Sequence, residues 1–172
     1  KDLLDYPKGD PSLFVLARHI NDFMPTHMVR LTMDALGRAG ISPKGSKITI
    51  LGWAFLSNSD DTRNTPAEPF RDRLIKSGAS VCVHDPYVSE YPGVPILHNI
   101  DEAMEGADAI VIFAGHNQYK NLKPDHIRKL SGKKHPVIID GRNMIDPDLF
   151  IRNGFVYKGI GRGDKNTHTI AR

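Results

Sequence analysis

Lys47-Ile48-Thr49-Ile50-Leu51-Gly52 is a short run of β-branched and other apolar residues, set off by the turn signal Ser42-Pro43-Lys44-Gly45 before it. After it come a long polar stretch to Thr65, a helix-like window over 66–76, and a second apolar run, Ser80-Val81-Cys82-Val83-His84. The same texture repeats downstream. Apolar runs at 108–114, 137–140 and 155–160 are separated by helix-like windows at 100–105, 124–130 and 147–152, each with a polar start and most followed by Gly. Strand, helix, strand in this rhythm predicts a parallel sheet flanked by helices. The runs are nearly continuous in apolar residues, as strands covered on both faces are. Residues 42–163 therefore read as an α/β unit, a Rossmann-like doubly wound parallel sheet.

Upstream, Leu16, Ile20, Phe23, Met24, Met28, Leu31 and Ala35 recur at three- and four-residue steps, the stripe of an amphipathic helix ending near Gly37 and Gly40. Pro25 lies inside the stripe and cannot donate to the helical ladder, which predicts a kinked rod or two helical segments. Met24, Met28 and Met33 read as a core face in preference to a partner surface. Any part of the stripe left exposed is a candidate surface for a second subunit or another domain of the same protein. Residues 13–41 are thus read as a helical segment ahead of the sheet. The tail, 164–172, carries only Ile170 as a large apolar residue, and is expected to be flexible.

The chain has 172 residues, 40% of them apolar and 25% charged, which suits one folded domain. Its formal charge of +3 is spread along the chain, too weak a signal for nucleic-acid binding. One cysteine cannot form an intrachain disulfide, and no His and Cys cluster has metal spacing; an intracellular, cytoplasmic protein without a metal is expected. No stretch approaches the roughly 20 apolar residues of a membrane span, and no signal-peptide layout opens the chain. The first residue is Lys1, so a piece of a longer chain is expected.

In such sheets, ligands bind beyond the carboxyl ends of the strands. The loop 52–65 is long and polar, and Thr65-Pro66-Ala67-Glu68 reads as a capping box that opens a helix onto it. Arg63 adds a bidentate cation, which suits a phosphate or pyrophosphate. Asp60 and Asp61 would oppose an anion unless they pair with Arg63 or bond loop amides; a self-satisfied loop is the plain alternative, and the anion site is favoured. Asp85, after the second run, stands where a ribose is often held, but a turn before Pro86 is the preferred reading. Ala114-Gly115-His116-Asn117 is an opening with donors, or simply a turn. Asp140-Gly141-Arg142-Asn143 puts a second Arg at a strand end, unless it pairs with Asp140 or Asp146. Two arginines at one edge would make an anion cleft. Gly159-Ile160-Gly161-Arg162-Gly163 precedes no helix pattern and reads as a flexible exit. Cys82, in mid-run, reads as a small buried hydrophobe. With no Gly-x-Ser-x-Gly, Walker loop or Cys-x-x-Cys, the residues describe a nucleotide-binding domain with no visible catalytic centre.

Gly52-Trp53-Ala54-Phe55, Asp60-Asp61-Thr62-Arg63, Thr65-Pro66-Ala67, the run from Val83 through His84-Asp85-Pro86-Tyr87 to Val88, Ala109-Ile110-Val111-Ile112 and Asp140-Gly141-Arg142-Asn143 together resemble, in order and spacing, the carboxy-terminal part of the UDP-glucose/GDP-mannose dehydrogenases. Ile20-Asn21-Asp22-Phe23-Met24-Pro25 resembles the central dimerisation helix that precedes it. The resemblance implies an enzyme with an NAD-binding domain, a helix that makes a homodimer, and this nucleotide-sugar-binding domain. It implies oxidation of a C6 hydroxyl to a uronate, reducing two NAD, through a cysteine absent from this chain. The chain alone is then one wall of an active-site cleft and inactive, with no catalytic residue and no metal of its own. By position, Arg63 would face the NAD pyrophosphate, while Arg142, Phe55 and residue 56 would meet the substrate; Leu56 stands where the family carries lysine. Asp-Asp-Thr-Arg with Thr-Pro-Ala looks most like the UDP-N-acetylmannosamine or UDP-N-acetylglucosamine branch. A stand-alone nucleotide-binding or interaction module, and an unrelated domain binding a flavin or nicotinamide, are the competing expectations.

Overall fold

A computed structural model describes residues 13–163 and 166. A long helix, α1 (Leu13–Arg38), leads into β1 (Lys47–Leu51), α2 (Ala67–Lys76), β2 (Ser80–His84), β3 (Ile96–Leu97), α3 (Ile100–Met104), β4 (Ala109–Ile112), α4 (Pro124–Ser131), β5 (Val137–Asp140), α5 (Pro147–Arg152) and β6 (Val156–Gly159). The strands form one sheet in the order β3-β2-β1-β4-β5-β6, and every pair is parallel. This is the expected α/β doubly wound arrangement, with its switch of direction between β1 and β4. The edge strand β3 is new: Ile96 and Leu97 are too short an apolar run to announce themselves, and pairing with Val83 and His84 is what makes them a strand.

Alternation along the strands feeds two cores. Ile48, Ile50, Val83, Val111, Val137, Ile139 and Val156 face α2 and the second half of α1, meeting Met28, Leu36, Phe70 and Leu74. Leu51, Ile110, Ile112, Ile138 and Tyr157 face the opposite layer, with Met104, Ile127 and Phe150 of α3, α4 and α5. Thr49 points to that layer too, and its hydroxyl donates to the Ala103 carbonyl at 2.6 Å. Helix starts are set by polar side chains. Asn99 accepts from the amides of Asp101 and Glu102, and Asp146 from those of Asp148 and Leu149, leaving fewer of the first-turn donors without a partner.

Helix α1 runs through Pro25 as one element, not two. The N–H that Pro25 lacks would have served Asn21, whose exposed position lets water take its place. Past Pro25 the helix packs on α2, β5 and β6, and Asp34 pairs with the buried Lys158 of β6 at 2.7 Å. Of the methionines read as a core face, Met28 is buried and Met24 and Met33 are half-buried. Before Pro25 the helix is bare: Phe14 is 85% exposed, and Leu13, Val15 and Ile20 are exposed as well. Within the 164–172 tail only Asn166 is among the described residues. Its carboxamide bonds both the N–H and the carbonyl of Tyr157, at 2.9 and 2.6 Å.

Candidate functional site

The carboxyl edge of the sheet is organised by two buried aspartates. Asp85, following β2, accepts hydrogen bonds through one oxygen from the amides of Trp53 and Ala54, at 2.7 and 3.0 Å, and through the other from Tyr87 and Val88. His116 Nε2 donates to the same carboxylate at 3.0 Å, because its Nδ1 is engaged by the Asn58 amide at 2.9 Å. Burial alone would raise the Asp85 pKa, but the bonds from His116 and the loop amides outweigh it and hold the carboxyl well below the usual carboxylate range. The preferred reading of Asp85 as a local turn former is thus too small. It also ties down the loop after β1, reaching residues 31 and 32 positions away.

That network closes the place where a dinucleotide fold presents free amides to a phosphate. The amides after β1 already hold an internal anion. Gly52, at φ +100°, presses so closely on the β4 exit that a Cβ there would come within 2.4 Å of the Ala114 Cβ. Nearby, His84 is fully buried, its Nδ1 on the Tyr119 hydroxyl and its Nε2 without a partner among the described residues. Burial depresses its pKa to about 4.

Thr65 supplies half of the expected capping box. Its hydroxyl accepts from the Ala67 amide and donates to the Trp53 carbonyl, but Glu68 turns away to the Tyr91 hydroxyl instead of closing the box. Arg63 is held by Asp61 through two bonds of 2.9 and 2.8 Å, which lower the Asp61 pKa to about 2. The pairing that the self-satisfied loop required therefore exists, with the Arg63 side chain still 86% exposed.

Asp140, the last residue of β5, accepts from the amides of Arg142, Met144 and Ile145. With Asp140 engaged in this way, and Asp146 capping α5, the Arg142 guanidinium has no carboxylate partner among the described residues. It stands on the wall between two clefts. One, of about 740 Å³, lies between α1 and the sheet edge and is lined by Met28, Phe55, Arg63, Phe113 and Arg142 among others. The second, of about 590 Å³, lies over the ends of β1, β4 and β5, with Ser57, Asn58, Asn117, Lys120, Arg142 and Asn143 in its walls. Phe55, Arg63 and Arg142 are thus brought to one cleft; Leu56, 49% exposed, lines neither. The glycine-rich exit is tied back, as Arg162 donates to the Asn143 side chain at 2.7 Å. Cys82 lies half-buried in β2 with its thiol pKa raised by burial, which suits packing and not nucleophilic attack. No group of three potential metal ligands occurs among the described residues, and none of their helices is long and apolar enough to cross a membrane.

Residues 49–147, containing both aspartates, the loop between them and Arg142, match the UDP-glucose/GDP-mannose dehydrogenase family, UDP binding domain. The chain belongs to this family. Among solved structures, this UDP-binding domain is similar to an NDP-N-acetyl-D-galactosaminuronic acid dehydrogenase from Methanosarcina mazei Go1. They share 59% identity at a TM-score of 0.90, over 96% of this chain and 35% of that one. A UDP-N-acetyl-D-mannosamine dehydrogenase from Pyrococcus horikoshii is 39% identical over 94% of the chain and 36% of its own length. A UDP-glucose 6-dehydrogenase from Rhizobium meliloti is 35% identical over 84% and 33%. The chain therefore spans about a third of the length of these relatives.

Of the second cleft, sequence reasoning marked the 52–65 loop and the 114–117 opening, but it did not single out Ser57 and Asn58 within that loop, and it missed Lys120. That these two loops share one cleft was not legible, because they meet across a separation of 58 residues.

Proposed function

We propose that this domain is the nucleotide-sugar-binding wall of an NAD-dependent UDP-sugar 6-dehydrogenase, which oxidises the C6 hydroxyl of a UDP-N-acetylhexosamine to a uronate. The observation that carries the reading is Arg142, a guanidinium with no carboxylate partner among the described residues, which lines one cleft with Phe55 at the carboxyl edge of the sheet of a UDP-binding domain. A diphosphate is the natural partner of such a fork, and an aromatic edge suits a base or sugar ring.

NAD supplies the hydride acceptor in this chemistry. The residues present do not fit it as a resident of this domain, since Asp85 fills the amide nest after β1 and Gly52 leaves no opening there. Its seat is assigned to another part of the protein, with Arg63 on the outer rim to meet the pyrophosphate if Asp61 releases it. The nucleophilic cysteine is likewise assigned elsewhere, and the bare half of α1 to a second subunit.

Steady-state kinetics of the protein carrying this domain test the reading. Arg142→Ala should raise KM for the UDP-sugar about tenfold or more while moving that for NAD less than about twofold. Equal changes in both would sink it.

A further inference from the structure

The second cleft has a composition that the first lacks. Its lining includes two cations, Lys120 and Arg142, one hydroxyl, Ser57, and three carboxamides, Asn58, Asn117 and Asn143, with no carboxylate. The larger cleft mixes signs: Arg18 and Arg63 are each paired with an aspartate, and Glu68 and Asp22 face the same space. A polar opening with positive charge and no internal counter-ion favours an anion.

The cleft is also built and held, not merely open. Gly115 is in its lining, and a Cβ there would meet the Ser57 hydroxyl at 2.6 Å and lie 3.7 Å from Arg142 Nε. Its φ is not in the left-handed region, so what glycine supplies here is space, bringing a hydroxyl and a guanidinium over one bare point of backbone. Two of the three non-glycine residues with positive φ among the described residues, Asn58 and Asn143, line this same cleft at φ 54° and 55°. Asn58 is fixed there by its amide on His116 and by its carboxamide oxygen, which accepts from the Asn117 amide at 2.8 Å. Lys120 is steadied by a 2.9 Å bond to the Asn117 side chain, a neutral partner that leaves its charge uncancelled. The left-handed backbone at Asn58 and Asn143, and surface hydrogen bonds anchored on the buried His116–Asp85 pair, thus shape the rim on which both cations stand.

We propose that Lys120 is a further binding residue for the nucleotide sugar: the cleft between Lys120 and Arg142, with Gly115 in its lining, receives the diphosphate. The proposal rests on the reading of the domain given above and adds a second cation, on the 3-10 turn after β4, to the one on the β5 loop.

Calorimetric titration of the 172-residue chain with UDP, inorganic pyrophosphate and uridine tests it. Lys120→Gln should weaken UDP and pyrophosphate about five- to tenfold, and Lys120→Glu further, with uridine unmoved. Lys129→Gln, on exposed α4 outside both clefts, should stay within about twofold. Thermal melts of each variant certify folding, which the exposed position of Lys120 leaves undisturbed. If UDP affinity falls in Arg142→Ala but not in either Lys120 variant, the Lys120 assignment is overturned and the function stands. If the Lys129 control falls equally, the effect is bulk charge and the assignment is overturned too. If pyrophosphate binding depends on Lys120 while UDP does not bind, the assignment of this cleft to a nucleotide sugar is overturned. If nothing binds the unmodified chain, both readings fail.

Discussion

The β2 and β5 ends of the sheet are built alike and end differently. Each closes with a buried aspartate whose carboxylate gathers the amides of the turn that follows. At the β2 end, Asp85 also gathers the amides of the β1 exit and a histidine, so its charge is enclosed by five donors. At the β5 end, Asp140 gathers three amides, and the loop it folds projects Arg142 outward with no carboxylate to meet it. One aspartate consumes a potential anion site, and the other, on the proposed reading, presents one. At this edge of the sheet a charge facing a completed internal partner is architecture, and the proposed reading takes a charge without one as the place for a ligand.

The contrast can be broken most forcefully at its closed end. Asp85→Ala leaves four amides and a buried imidazole without their acceptor, and should cost about 4 kcal/mol in urea unfolding, with Asp140→Ala costing less, about 3 kcal/mol. The opposite order would remove the distinction between the two ends. Next in size is an acid sensitivity at the closed end. His84 has a folded pKa of about 4, below its unfolded value of 6.5, so as pH falls through this window the unfolded chain takes up a proton that the folded one refuses. Stability present above pH 6.5 is lost toward pH 4, by about 2 kcal/mol between pH 7 and 4.5, and His84→Phe should flatten that part of the curve. The smallest effect sharpens the open end: Arg142→Ala should leave the unfolding free energy within about 0.5 kcal/mol, since among the described residues no carboxylate pairs with its exposed side chain. A larger loss would make Arg142 a structural cation.

The sheet was legible because strands buried on both faces must be continuously apolar, and the runs beginning at Lys47, Ser80, Asp108, Val137 and Phe155 are. The helices between them showed through their polar starts. β3 was hidden because two residues carry no period, and continuity through Pro25 because the rule for proline does not know whether water can reach the carbonyl it strands. At the site, Arg63 and Arg142 stood out as cations at strand ends, and Phe55 lay beside them. The full role of Asp85, the tautomer of His116 and the Lys120 side of the second cleft depend on contacts between loops distant in sequence, which no local pattern encodes. The failure of Glu68 to close its capping box has the same origin, since Tyr91 offers it a competing partner.

The position of β1 in the middle of the sheet has a consequence for the order in which the molecule can be made. Its amide at Lys47 is met by the Asp108 carboxylate, 61 residues later, and the inner face of α1 waits for β5 and β6 near the far end. Within this stretch α1 leaves the ribosome before the strands that cover its inner face. Non-local pairing of this kind folds slowly, and during synthesis Met28, Ala35 and Leu36 are surfaces in search of shelter. For this chain, synthesis speed and chaperone access bear directly on how much of it reaches the folded state.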